Sequence, residues 1–222
     1  MNSININSRK NESGFTLIEI AIVLVIIGLL LGGVLQGQQL IENSRVKGAT
    51  NDFNGLAAGV FSYQDRYGRL PGDDPGAVSA RGDSWPGANM GNGNGIVADG
   101  ANVFAPAATE ETAIFFSNLR SSGFIAGDPT AVGALALPQN SFGGLTTIVS
   151  GTVFATMTGM KICMGNVSGT GAIALDTQLD DGDATSGRFR GEAAATPNTA
   201  PGTTALTVAY AEDDSYTVCY RI

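Results

Sequence analysis

The sequence predicts an α+β fold, a long N-terminal helix packed on an antiparallel β-sheet, and three observations predict it. An apolar run extends from Phe15 to Leu35 with one interruption. Behind it Val46, Ala49, Phe53, Leu56, Val60, Tyr63 and Tyr67 recur at steps of three and four, which is one face of a helix. From about Leu145 onward, runs rich in β-branched and aromatic residues alternate with turn residues. A helix with a single apolar stripe must bury it, and the apolar face of a sheet is a surface that can receive it.

As a helix the apolar run spans about 31 Å, the thickness of a bilayer's hydrocarbon core. The polar stretch from Met1 to Gly14 carries Arg9 and Lys10 near its end. Positive charge on that side predicts a cytoplasmic N-terminus, with the rest of the chain across the membrane. A secretory signal peptide would have a shorter run followed by a small-residue cleavage site, and "GGVLQGQQL" offers none. The interruption is Glu19. A charged side chain at a bilayer's centre costs about 2.5 to 3.5 kcal/mol, so this carboxylate calls for a partner.

The stripe carries the helix on to Tyr67, where Gly68 serves as a left-handed cap and Pro71 follows. One helix from Phe15 to Tyr67 would be about 80 Å long. Gly28, Gly32, Gly33 and Gly37 lie inside it, at about 1 kcal/mol each relative to Ala. Their spacing suits close packing between helices, and equally local bending.

Beyond the helix, "WPGANMGNGNGIVADG" reads as a long loop. Its Asn92 and Asn94 are neutral, which favours turn chemistry over a cation loop, and Trp85 is expected to anchor the loop on the core. Thr109 to Ser122 reads as a second helix, with Glu110 and Glu111 in its first turn, Phe115, Phe116 and Leu119 on one face, and Gly123 ending it. Strands are expected in "LTTIV" and "TVFATMTGMKICM", and a hairpin in which "ALTVAYA" and "YTVCYRI" flank "EDDS". Between them, "ALDTQLDDGDATSGRFRG" gathers Asp176, Asp180, Asp181 and Asp183. Like charges this close need water, Arg188 and Arg190, or a Ca²⁺ ion to offset them; a solvated turn is the first expectation and calcium the second.

The chain carries a formal charge of −8, and its 12 Lys and Arg form no cluster, so nucleic acid is not an expected partner. Histidine is absent, which removes the commonest general base and metal ligand, and no nucleophile has an identifiable base; no enzyme is expected. Cys163 and Cys219 would form a disulfide in an exported domain and remain buried thiols otherwise.

The stretch "GFTLIEIAIVLVIIGLLLG" resembles the leader junction of type IV prepilins and pseudopilins: a short charged leader ending in Gly14, then Phe15, Thr16, Leu17, Ile18 and Glu19. The resemblance implies a pilin-like roll organised as leader (1–14), transmembrane and filament-core helix (15–35), amphipathic continuation (36–68) and a globular periplasmic or extracellular domain (69–222). It implies cleavage between Gly14 and Phe15 by a prepilin peptidase, N-methylation of Phe15, and filament assembly through the helix, with Thr16 and Glu19 at the assembly contact. The implied function is a major or minor pilin. The alternatives are a pseudopilin of a type II secretion system or an adhesin or ligand-binding module displayed at a tip. The implied partners are other pilins, the peptidase, an inner-membrane assembly platform and, before assembly, the bacterial inner membrane; the destination is a surface pilus or a periplasmic pseudopilus. A C-terminal cysteine paired to one in the sheet resembles the disulfide-bounded region of pilins.

Cleavage would free an α-amino group, whose pKa is normally about 7.7 to 8, and a cation among apolar helices needs an anion. Glu19 of a neighbouring subunit would supply it. A half-formed pair leaves a buried charge at about 3 to 5 kcal/mol, so the pair would act as a register pin. Pairing with the amine of its own chain, or snorkelling to the interface, is the alternative use of Glu19.

Overall fold

The computed structural model describes residues 15–77, 85, 90–97, 102–204 and 206–222. The chain divides into two compact units, Met1–Ile41 and Glu42–Ile222, and helix α1 (Leu17–Tyr67) starts in the first and ends in the second.

Within the first unit the apolar run is exposed among the described residues. Leu17, Leu24, Leu29 and Leu35 are exposed, and a Cβ placed on Gly28, Gly32, Gly33 or Gly37 would meet open space. The most apolar stretch has a mean hydropathy of 2.8 and none of it is buried. By length and composition α1 is, among the described residues, the helix able to cross a membrane. An exposed apolar surface of this extent marks a membrane or protein contact.

In the second unit the stripe is buried as its period requires: Val46, Ala49, Phe53, Leu56, Val60 and Tyr63 lie in the core, while Asn51, Asp52, Asn54 and Asp65 on the other side are exposed. Phe53 meets Phe189 and Tyr220 edge-on, at ring separations of 6.0 and 5.7 Å. Helix α1 ends at Gly68, whose φ of +65° is the left-handed conformation that glycine adopts without strain.

The sheet has four antiparallel strands, β1 (Thr146–Val149), β2 (Lys161–Ser168), β3 (Phe189–Ala193) and β4 (Ser215–Arg221), in the order β1-β2-β4-β3. Cys163 and Cys219 are directly opposed partners on β2 and β4 and form a disulfide. Helix α2 (Glu111–Ser121) closes with a paired exit: the Gly123 amide donates to the Arg120 carbonyl and the Phe124 amide to the Leu119 carbonyl.

Three expectations about the sheet are corrected. The run from Thr152 to Met164 is not one strand: Phe154 and Ala155 have φ of +50° and +64°, the chain reverses there, and only Lys161 onward joins the sheet. Of "ALTVAYA", Ala205 lies outside the described residues and Leu206 to Ala211 form no strand, because both edges of β4 are already taken by β2 and β3. Helix α3 (Gly169–Leu179) lies where a loop was expected, so Asp176 belongs to its last turn. Ser168 starts this helix, its hydroxyl accepting from the Gly171 amide at 3.1 Å.

Candidate functional site

At the start of α1 the Thr16 amide and hydroxyl both donate to Glu19 Oε2, each at 2.8 Å, and the Glu19 amide donates to Thr16 Oγ1 at 3.3 Å. This is a reciprocal capping box: each side chain satisfies the other's backbone N–H at the end of the helix. Glu19 Oε1 has no partner among the described residues. Phe15 is 85% exposed, and Gly14 lies outside the described residues. Within one chain the carboxylate caps its own helix.

The acidic turn after α3 is more ordered than a solvated loop. Asp176 is fully buried; its Oδ1 accepts from the Gly182 amide at 3.1 Å and its Oδ2 has no hydrogen-bond partner. Burial pushes its carboxyl up to about 6, and the Asp181 and Asp180 charges add to the shift. The Tyr210 hydroxyl lies against this carboxylate, and burial together with Asp176 pushes that phenol up as well. Asp180 Oδ2 accepts from the Arg188 and Phe189 amides, the latter at 2.9 Å. Asp181 is held down by the Asp183 amide and the Ser186 hydroxyl. Asp183 stands apart, its Oδ1 accepting from the Thr185 amide and hydroxyl at 2.9 and 2.7 Å. Of the two arginines expected to offset this group, Arg190 lends its charge to Asp183 and helps hold that carboxyl down. Arg188 donates to the Arg221 carbonyl and lies over the Tyr220 ring; Arg190 donates to Thr156.

A second carboxylate organises the long loop. Asp73 is 3% exposed and accepts from three successive amides, Gly93 at 2.6 Å, Asn94 at 3.0 Å and Gly95 at 2.6 Å. Asn92 and Asn94 each fold back on the amide two residues on, at 2.9 Å, so "NGNG" is turn chemistry wrapped around an anion. Next to it the Tyr63 hydroxyl donates to Asp74 at 2.8 Å, and Trp85 stacks edge-on against Tyr67 at 5.6 Å. The tryptophan is an anchor of the loop, as its neighbours imply.

Residues 9–35 match the family described as the prokaryotic N-terminal methylation motif. The chain carries this methylation motif at its N-terminus. Among curated proteins none matches the chain. Among solved structures it is similar to the major Type IV pilin PilA1 from Clostridium difficile, with 9% identity, a TM-score of 0.40, and coverage of 81% of this chain and 95% of that one.

Within this motif one interaction escapes a reading by hydropathy. Thr16-x-x-Glu19 is a capping-box spelling, and the apolar run that follows obscures it. The Asp73 clasp has no such spelling, since its partners lie about twenty residues away and nothing local announces them.

Proposed function

We propose that this chain is a subunit of a type IV pilus-like filament, released from its leader between Gly14 and Phe15 and assembled through the first half of α1. The observation that carries the reading is an apolar helix surface left exposed among the described residues, headed by a carboxylate inside a methylation motif. Before cleavage the capping box gives the Glu19 charge two donors close at hand, which lowers the cost of waiting at the membrane. Cleavage puts a cationic amine on Phe15, one residue ahead of the Thr16 cap. In a bundle of such helices Glu19 of one copy would receive the Phe15 ammonium of the next. Each ion is costly there alone, and both are relieved together in one register.

On this reading the single-pass precursor sits in the inner membrane with its N-terminus in the cytoplasm, and the Glu42–Ile222 unit is displayed outside. The prepilin peptidase, the assembly platform and other pilins are its partners. The experiment is a Gly14 replacement by a bulky residue in producing cells, with electron microscopy and a secretion assay. Uncut precursor in the membrane and loss of surface fibres is the expected result. Normal processing of the variant would contradict the cleavage reading, and loss of secretion with no fibres in the parent cells would make the chain a type II pseudopilin.

A further inference from the structure

We propose that Asn92 and Asn94 are dormant deamidation sites, kept dormant by Asp73, which holds the two backbone amides that would attack them. This goes beyond the filament reading and does not depend on it. Asn is followed by Gly at three places, Asn54–Gly55 inside α1 and Asn92–Gly93 and Asn94–Gly95 in the long loop. At such a step the glycine nitrogen gives up its proton and attacks the Asn Cγ. The bond from Cγ to the side-chain nitrogen breaks, ammonia leaves, and a five-membered imide closes. Water then opens the imide at either carbonyl, leaving Asp or an isoaspartyl linkage in which the backbone runs through Cγ. The reaction needs no oxidant and no reagent but water. Glycine favours it because no side chain shields the nitrogen and the backbone turns freely.

Everything in the loop except the nucleophile favours this chemistry. Asn92 and Asn94 are exposed, so water reaches the imide. Each Oδ1 already accepts from the amide two residues on, Asn94 for Asn92 and Ile96 for Asn94, both at 2.9 Å; such a donor stabilises the charge that develops on this oxygen as the nitrogen adds. The attacking amides are engaged elsewhere. Gly93 N–H donates to Asp73 Oδ1 and Gly95 N–H to Asp73 Oδ2, each at 2.6 Å. Attack requires the nitrogen to lose its proton, and a carboxylate at this distance disfavours the anion that would result. The nitrogen must also leave a charge-assisted hydrogen bond, which corresponds to a rate factor of about ten to a hundred. Asp73 cannot follow the loop outward: it is buried, and Gly91 packs so closely on it that a Cβ there would come within 2.3 Å of the Asp73 Cα. Glu111 of α2, also buried, accepts from the Asn92 amide at 3.1 Å, so the amides from Asn92 to Gly95 are all held by acids of the core. The device recurs at Asp181–Gly182, a step open to the same cyclisation with water as the leaving group. There the Gly182 amide donates to buried Asp176 at 3.1 Å, while Asp181 Oδ1 accepts from the Asp183 amide at 2.9 Å.

The test incubates the full chain in detergent micelles, in mildly alkaline buffer made with heavy-oxygen water, and reads the label at each step by peptide mass spectrometry. A synthetic peptide of residues 90–97 is the unclasped reference. In the parent chain the Asn92 and Asn94 steps should take up label at least about tenfold more slowly than in the peptide, a comparison that needs no variant to fold. Asp73→Ala should speed both steps at least about tenfold. The Asn54 and Asp181 steps should keep their parent rates in that variant, because the helix and Asp176 still hold the Gly55 and Gly182 amides. Three results would each overturn the assignment. Parent steps as fast as the peptide would show that the clasp does not restrain the nucleophile. Label no faster in Asp73→Ala than in the parent would show that Asp73 is idle or acts as a base. An equal rise at Asn54 would show that general unfolding, not release of the two amides, sets the rate.

Discussion

Replacing Asp73 by Ala removes the acceptor of three amides at once. Charge-assisted hydrogen bonds contribute about 1.5 to 3 kcal/mol each when the partner left behind stays buried. Here Gly93, Asn94 and Gly95 lie in an exposed loop, so water can take over much of the lost bonding, while the cavity left by the buried carboxylate cannot be refilled as easily. About 2 to 4 kcal/mol is the expected loss, which for a chain of this size corresponds to a fall in Tm of roughly 4 to 16 °C. The assay is equilibrium urea unfolding of the full chain in micelles, followed by the emission of Trp85, the one tryptophan, which rests on Tyr63 and Tyr67 at 6.1 and 5.6 Å. Asn94→Ala, which deletes only an exposed turn contact, should cost under about 1 kcal/mol. Equal stability of Asp73→Ala and the parent protein would refute the clasp as an organising element of the loop.

Two further outcomes follow from the core. Phe53→Ala should destabilise the Glu42–Ile222 unit by about 3 to 5 kcal/mol, because a fully buried ring with two edge-on aromatic neighbours leaves a cavity that helix and sheet cannot close; a loss under about 1 kcal/mol in the same unfolding assay would show that α1 is not seated as described. Reducing the Cys163–Cys219 bond, which spans a sequence separation of 56, should cost about 4 kcal/mol on the chain-entropy model. A non-reducing mass spectrum should find both thiols absent, and free thiols in the exported protein would contradict the bond.

Much of α1 was open to reading because a helix with one wet and one dry face writes its period into the chain, and Gly68 with Pro71 marks its end. Helix α3 was not, and the reason is packing. Gly169 and Gly171 speak against a helix by propensity. They are there because neighbours crowd the first turn: a Cβ on Gly171 would come within 2.6 Å of the Phe142 ring, and one on Gly169 would meet the Ala211 carbonyl. Strand pairing failed for a similar reason, since no local pattern says that β4 is already flanked on both edges. The acidic residues were visible as a cluster, but their division into a buried Asp176, an adjoining Asp180 and Asp181 and a separate Asp183 depends on where α3 stops.

Glu19→Gln separates the two roles of that side chain, because glutamine still completes a capping box but has no charge to offer an ammonium. The decisive measurement is the amount of this variant in sheared surface filaments relative to the parent, with the processed subunit in the membrane quantified alongside. Normal insertion and cleavage with at least about a tenfold fall in filament content is the predicted result, given the 3 to 5 kcal/mol attached to a broken buried pair. Filaments that take up Glu19→Gln as readily as the parent would contradict the pairing between subunits.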